Sequence, residues 1–148
     1  MQILKDLART QAQTVELFTL DAAKLDLTYA PGKWSVRYLL HHMADAETVL
    51  YDRIRRTISK PNQVVWGFDQ DAWAAALDYD NKPLALSQAV YTACRAGIMY
   101  LAEQAYESQG SSTMVHSGDG KKTLKDVFDK VVWHNEAHLK QIERALAA

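Results

Sequence analysis

Thr123-Leu-Lys-Asp-Val-Phe-Asp-Lys-Val-Val-Trp-His-Asn-Glu-Ala-His-Leu-Lys-Gln-Ile-Glu-Arg-Ala-Leu-Ala147 reads as one long helix. Thr123, with Asp126 three residues on, has the form of a capping box in which Asp stands in the Glu position. Val127 and Val131 mark an apolar stripe at helical spacing, and the same stripe continues through His134, His138, Gln141 and Arg144 or Ala145. A stripe that begins as core and ends in two imidazoles turns those imidazoles toward the inside of the fold. His134 and His138 are one turn apart, about 6 Å along the axis, so one metal ion can reach both. Such a pair is often an accident of a solvated surface. Burying two imidazoles without partners is unfavourable, and a cation that takes both lone pairs removes that penalty.

The same period extends outward from this segment. Leu4, Leu7, Ala8, Gln11, Val15, Phe18 and Ala22 predict a first helix over Ile3–Leu25, broken by Pro31-Gly32. Ser35 is a good N-cap for a second helix that stops near Ser59, before Pro61. Trp34 and Leu39 stand at the positions of a hydrophobic staple. A short helix is expected around Asp69–Leu77. Pro83 suits the first turn of a third long helix that runs to about Glu107, and the Gly- and Ser-rich stretch Ser108–Lys122 reads as a loop. Four helices of about 20 residues in one domain, 1–148, predict an all-α four-helix bundle. Pro61–Lys82 either wraps that bundle or caps one end.

Composition bounds the function. The chain has 148 residues, 48% hydrophobic and 24% charged, with 17 basic and 18 acidic residues. A net charge of −1 argues against non-specific binding to nucleic acid, which needs clustered positive charge. No apolar run approaches the ~20 residues of a membrane span, and the opening residues lack the apolar core of a signal peptide. A lone cysteine, Cys94, forms no internal disulfide and reads as a small buried hydrophobe. Together these features predict a cytoplasmic protein.

A third metal ligand should come from a facing helix. His42 lies with Leu39, Ala46 and Val49, whereas His41 lies with Arg37, Tyr38, Asp45 and Thr48. The wheel picks His42 as the inward group and leaves His41 exposed near Asp45. Glu47 falls on the stripe of Leu40, Met43, Leu50 and Ile54. Three roles are open to it: accepting the outer N–H of a ligating imidazole, serving as a base for metal-activated water, or reaching solvent from the stripe edge. His116 sits in the loop that leads into the last helix, either covering the site or solvated. The run Asp52-Arg-Ile-Arg-Arg56 reads as a solvated helix end favoured by the helix dipole.

Trp34-Ser-Val-Arg-Tyr-Leu-Leu-His-His-Met-Ala-Asp-Ala-Glu47 resembles the tryptophan–serine helix start and following histidine of the DinB-like superfamily. His134-Asn-Glu-Ala-His138-Leu-Lys-Gln-Ile142 resembles its closing histidine pair. The segment around Asp71–Trp73, Arg95 in the third helix and Gly120 with Thr123-Leu124 are similar as well, so the resemblance spans essentially the whole chain. It aligns His42 with the first histidine of the family pattern. It implies an up-up-down-down bundle with a three-histidine metal site at one end, and members that are often homodimers. It implies nickel, zinc or related divalent ions, and in some relatives transfer or isomerisation with low-molecular-weight thiols.

Three function classes follow. A metal-dependent enzyme, hydrolase or thiol-dependent transferase, would hold a divalent ion, nickel or zinc before iron or copper, on His42, His134 and His138. Glu47 or His116 would move the proton, and a small molecule would occupy an open coordination position. Helix geometry separates Glu47 from His42 by ~7.5 Å along the axis, which predicts a carboxylate near the ion but not on it. The alternatives are a non-catalytic metal-binding or stress-related dimeric bundle, and a structural bundle whose histidines are incidental. The aromatics Trp66, Trp73, Tyr51, Tyr91 and Tyr100 exceed what a small core readily hides and suggest a homodimer.

Overall fold

A computed structural model describes residues 1–148. Four long helices, α1 (Gln2–Leu17), α3 (Val36–Ser59), α5 (Leu84–Ala105) and α6 (Leu124–Ala147), form a four-helix bundle. Two short helices, α2 (Ala22–Leu25) and α4 (Gln70–Ala76), lie in the connections. The caps explain the boundaries. Ser35 accepts from the Tyr38 amide, Asp69 caps α4, and Thr123 and Asp126 complete the expected capping box. Pro83 is the N-cap of α5 rather than a residue of its first turn. The first helix is shorter than its period suggested. It ends at Leu17, and Asp21 caps a separate turn, α2.

Contacts set the helix directions. His41 meets Ser87 and Glu47 meets Arg95, so α3 and α5 run parallel. Phe18 meets Tyr91 and Leu7 meets Arg95, so α1 opposes α5. Leu39 and Leu40 pack in one cluster with Ile142 and Ala145, while Leu50 and Ile54 pack in the other with Leu124, Val127 and Phe128, so α6 opposes α3. The order is therefore up-down-down-up, not the up-up-down-down arrangement that the resemblance implied. The physical reason is the connection from Lys60 to Pro83. Parallel neighbours need a return along the bundle's length, and this segment makes it, with α4 packed on α3.

The stretch read as a loop forms a hairpin of a small three-stranded sheet, whose third strand comes from the connection after α3. β1 (Val64–Val65) pairs in parallel with β2 (Thr113–His116), and β2 pairs antiparallel with β3 (Gly120–Thr123). Gly120 turns the hairpin at φ +78°, a conformation glycine adopts without steric penalty. Met114 points into the core between Thr113 and Val115, and the Gly118-Asp119-Gly120 turn was the available signal.

The core has two apolar clusters. One, around Leu7, Ile54, Ile98, Leu124 and Phe128, lies toward the sheet; the other, around Leu39, Leu40, Met43, Tyr91 and Ile142, lies toward the opposite end. Cys94 is half-buried rather than enclosed, and burial raises its thiol above the ordinary value. No helix is long and apolar enough to cross a membrane.

Candidate metal centre

His42 projects from the second turn of α3, and His134 and His138 from the middle of α6. The structure brings these three together. His42 Nε2 lies 3.0 Å from His134 Nε2, and His138 Nε2 lies 3.1 Å from it. One ring nitrogen from each falls within 4.8 Å of the others. A tetrahedral ion bound at 2.0–2.1 Å places its nitrogens about 3.3 Å apart, close to these separations.

The hydrogen-bond valence of the rings tests the fit. A neutral ring nitrogen either carries a proton or offers a lone pair. His138 Nδ1 lies 2.7 Å from Gln141 Oε1; the amide oxygen accepts, so Nδ1 donates and Nε2 offers its lone pair. A single proton on His134 Nε2 would have to serve both neighbouring rings at once. A cation instead uses all three lone pairs, and the residues fit one. The Nδ1 atoms of His42 and His134 are buried without partners, so Gln141 is the one protein anchor behind the triad.

Burial keeps these rings neutral. Desolvation, with the charge of His138 second, holds His42 down to about 3. Desolvation, then His138 and His42, holds His134 down to about 2. Burial also lowers His138, against a smaller upward pull from Gln141. Trp34 and Phe68 flank His42 at ring centroid distances of 5.3 and 6.1 Å. Sequence reasoning missed Phe68, because the connecting segment has no period that would place it.

His41 is fully buried, not exposed. Its Nδ1 lies 2.7 Å from Ser87 Oγ, its ring packs on Tyr79, and burial holds it down to about 4. The polar face of α3 is covered by the connection and by α5. Tyr79 donates to Asp45, and Lys82 Nζ lies 3.8 Å from Asp45. Asp45 thus pairs with Tyr79 and Lys82 rather than with His41.

Glu47 neither reaches solvent nor bonds an imidazole. Its carboxylate accepts from Arg95 Nε, from Arg95 Nη2 at 3.2 Å and from Asn135 Nδ2 at 3.4 Å. Burial pushes the carboxyl up, while Arg95 and Asn135 pull it back down. The expected place beside an ion is therefore not where Glu47 bonds. Sequence reasoning missed Arg95 as its partner, because a buried arginine leaves no mark in an otherwise apolar period.

A cleft of about 820 Å³ runs from the triad to the hairpin, with His116, Arg53, Lys130 and Trp133 in its walls. His116 thus lies in the cleft, at the end away from the triad. Its Nδ1 accepts from the Gly118 and Asp119 amides at 3.0 and 2.9 Å. The 3.8 Å approach of Asp119 to that same nitrogen is accordingly not an ion pair. Arg53, expected on a solvated face, is half-buried and lines the cleft; Arg55 and Arg56 are exposed and pair with Asp52.

Comparison with known proteins agrees with this architecture. A protein of Oceanobacillus iheyensis, provisionally named a metal-dependent hydrolase, is 31% identical over 129 residues, covering 87% of this chain and 74% of its own length. YfiT of Bacillus subtilis, named in the same way, is 26% identical, covering 96% of this chain and 79% of its own. The solved structure of YfiT, described as a four-helix bundle of unusual topology, superposes with a TM-score of 0.86 at 22% identity, covering 96% of this chain and 82% of that one. The family profile described as DinB superfamily matches residues 6–142, a span that includes His42, His134 and His138. The chain belongs to the DinB superfamily.

Proposed function

We propose that this protein is a metal-dependent hydrolase that holds one divalent ion on the Nε2 atoms of His42, His134 and His138 and takes its substrate in the adjoining cleft. The observation that carries the reading is the convergence of three neutral imidazole nitrogens at 3.0–3.1 Å on a cleft wall. The provisional names of relatives at 26–31% identity point the same way. A divalent ion there supplies Lewis-acid activation of a substrate oxygen or of water. Three borderline nitrogen donors suit nickel or zinc, with iron and copper as the other fits.

The chain's own groups prepare the site. Gln141 fixes the His138 tautomer, and Phe68 and Trp34 restrict water around His42. Glu47 acts at a distance, holding Asn135 beside His134 through the core; we assign it positioning rather than proton transfer. His116 offers an Nε2–H to a bound substrate. The lone half-buried Cys94 fits a reducing cytoplasm, and the same fold is proposed to act as a homodimer.

The test begins with metal analysis of the purified chain after dialysis against nickel and against zinc. About one ion per chain is expected, retained in His41→Ala and lost in His42→Ala, His134→Ala and His138→Ala. No retained metal, or equal loss in His41→Ala and His42→Ala, overturns the ligand set. Ester, amide and phosphoester panels, each with and without chelator, then test hydrolysis. Turnover that needs a low-molecular-weight thiol and an electrophile, with no hydrolysis, would move the reading to a transferase.

A further inference from the structure

Arg53 lies three turns beyond His42 on α3 and enters the same cleft. Its Nη2 donates to the Trp66 carbonyl at 2.9 Å, but its Nε is buried with no acceptor. A guanidinium partly removed from water is unfavourable without an anion, and its planar fork matches carboxylate and phosphate oxygens. His116 stands beside it. Two backbone amides donate to His116 Nδ1, which puts the ring proton on Nε2, and Nε2 has no protein acceptor. The charge of Arg53 acts on the His116 ring, as do those of Lys130 and Lys122, against an opposing Asp119. Acids in the cleft walls are otherwise engaged: Asp126 accepts from the Thr123 amide and Asp129 from the Tyr106 hydroxyl. Asp119, in the exposed hairpin turn, makes no direct ion pair with Arg53, although its charge, with that of Asp52, acts on the guanidinium and would compete with a bound anion.

We propose that Arg53 and the Nε2–H of His116 form an oxyanion seat at the hairpin end of the cleft, holding a carboxylate or phosphate of the substrate while its scissile bond lies at the imidazoles. The inference rests on reading the cleft as the substrate site, and it names the substrate class as an anionic small molecule. Eleven residues separate the backbones of His42 and Arg53, about 16 Å, and side chains on a helix lean toward its N-terminus. Arg53 therefore leans back toward the triad, and the anion and the reacting bond lie on the order of 10 Å apart.

The experiment uses isotope-labelled full-length chain, treated with chelator, titrated in separate arms with inorganic phosphate and with succinate while backbone amides are followed by NMR. Saturable shifts are expected at Gly67, Gly118 and Asp119. Arg53→Gln should weaken binding about tenfold, the scale of a lost charge-assisted hydrogen bond. Arg53→Lys, which keeps the charge without the fork, should fall between, and serves if Arg53→Gln lacks a native spectrum. Lys140→Gln, remote from this cleft, should bind as the parent does. Tighter phosphate points to a phosphate-bearing substrate and tighter succinate to a carboxylate-bearing one. Absent saturation in both arms, or unchanged affinity in both Arg53 variants, overturns the seat. Because no metal is present, loss of metal binding in the earlier test leaves this result standing, and the two readings fail separately.

Discussion

Glu47 and Arg95 meet in the middle of the bundle with neither side chain exposed to water. Arg95 Nη1 also donates at 2.8 Å to the Leu7 carbonyl and to Thr10, and Asn135 links Glu47 to Thr14 and Tyr91. All four long helices contribute, so removing one partner strands a buried charge at about 3–5 kcal/mol. The buried histidines act on stability through protons. His41, His42 and His134 are held to about 4, 3 and 2, against an ordinary 6.5, and His138 is also lowered. Below pH 6.5 the unfolded chain binds protons at these sites that the folded chain refuses, so stability falls as pH falls from about 6.5 to 4. Each histidine contributes a slope of up to about 1.4 kcal/mol per pH unit. The raised Glu47 carboxyl opposes this by at most one proton against four. Urea unfolding of chelator-treated protein should give a markedly lower midpoint at pH 5 than at pH 7.5; a flat profile would refute the neutral, buried assignment.

Between α5 and α6, the element scale is decided by tight backbone contacts. Gln109 donates back to the Ala105 carbonyl, Leu124 to Ser112 and Lys125 to Gly110, which folds the hairpin against both helix ends. At Gly110 a Cβ would lie 2.3 Å from the Tyr106 carbonyl oxygen and 2.7 Å from the Lys125 side chain. Lys125 can swing away, but a carbonyl in the backbone at the C-cap of α5 cannot. Gly110→Ala should therefore destabilise the fold by about 1–3 kcal/mol, the range for overpacking, measured by urea denaturation. At Gly120 a Cβ would meet nothing, and only the positive φ opposes a side chain.

Across the whole molecule, the two apolar clusters flank the polar layer of Glu47, Arg95 and Asn135. One outer face remains unexplained by the monomer. Ala85, Leu86, Ala89, Val90, Ala93, Ala96 and Tyr100 are all exposed on α5, and none is charged; Leu86 is 56% and Tyr100 65% accessible. An isologous pair about a two-fold axis at Ala93 would set Leu86 of one copy opposite Tyr100 of the other, with small residues at the crossing and no like charges meeting. This supports the proposed homodimer. Sedimentation should give twice the 16.7 kDa chain mass, and Ala93→Arg should give monomers with the triad's metal content intact. A monomeric parent chain at micromolar concentration would refute the pairing.

Period and caps alone determined the presence of four long helices (though not the end of the first), the start sites at Ser35 and Thr123, and the inward facing of His42, His134 and His138, because helical spacing decides which residues share a face. Local chemistry also sufficed for α4, whose Asp69 cap and short length are written in neighbouring residues. Tertiary structure alone decided the rest. The direction of α5 relative to α3, the burial of His41 under Tyr79 and Ser87, the pairing of Glu47 with Arg95, and the turn of Arg53 into the cleft all depend on residues 13 to 48 positions away. A wheel sorts a helix into faces, but it does not say which face a distant segment will cover. At His41 and Glu47 the covering segment changed the environment of a polar group from water to protein, and with it the group's partner.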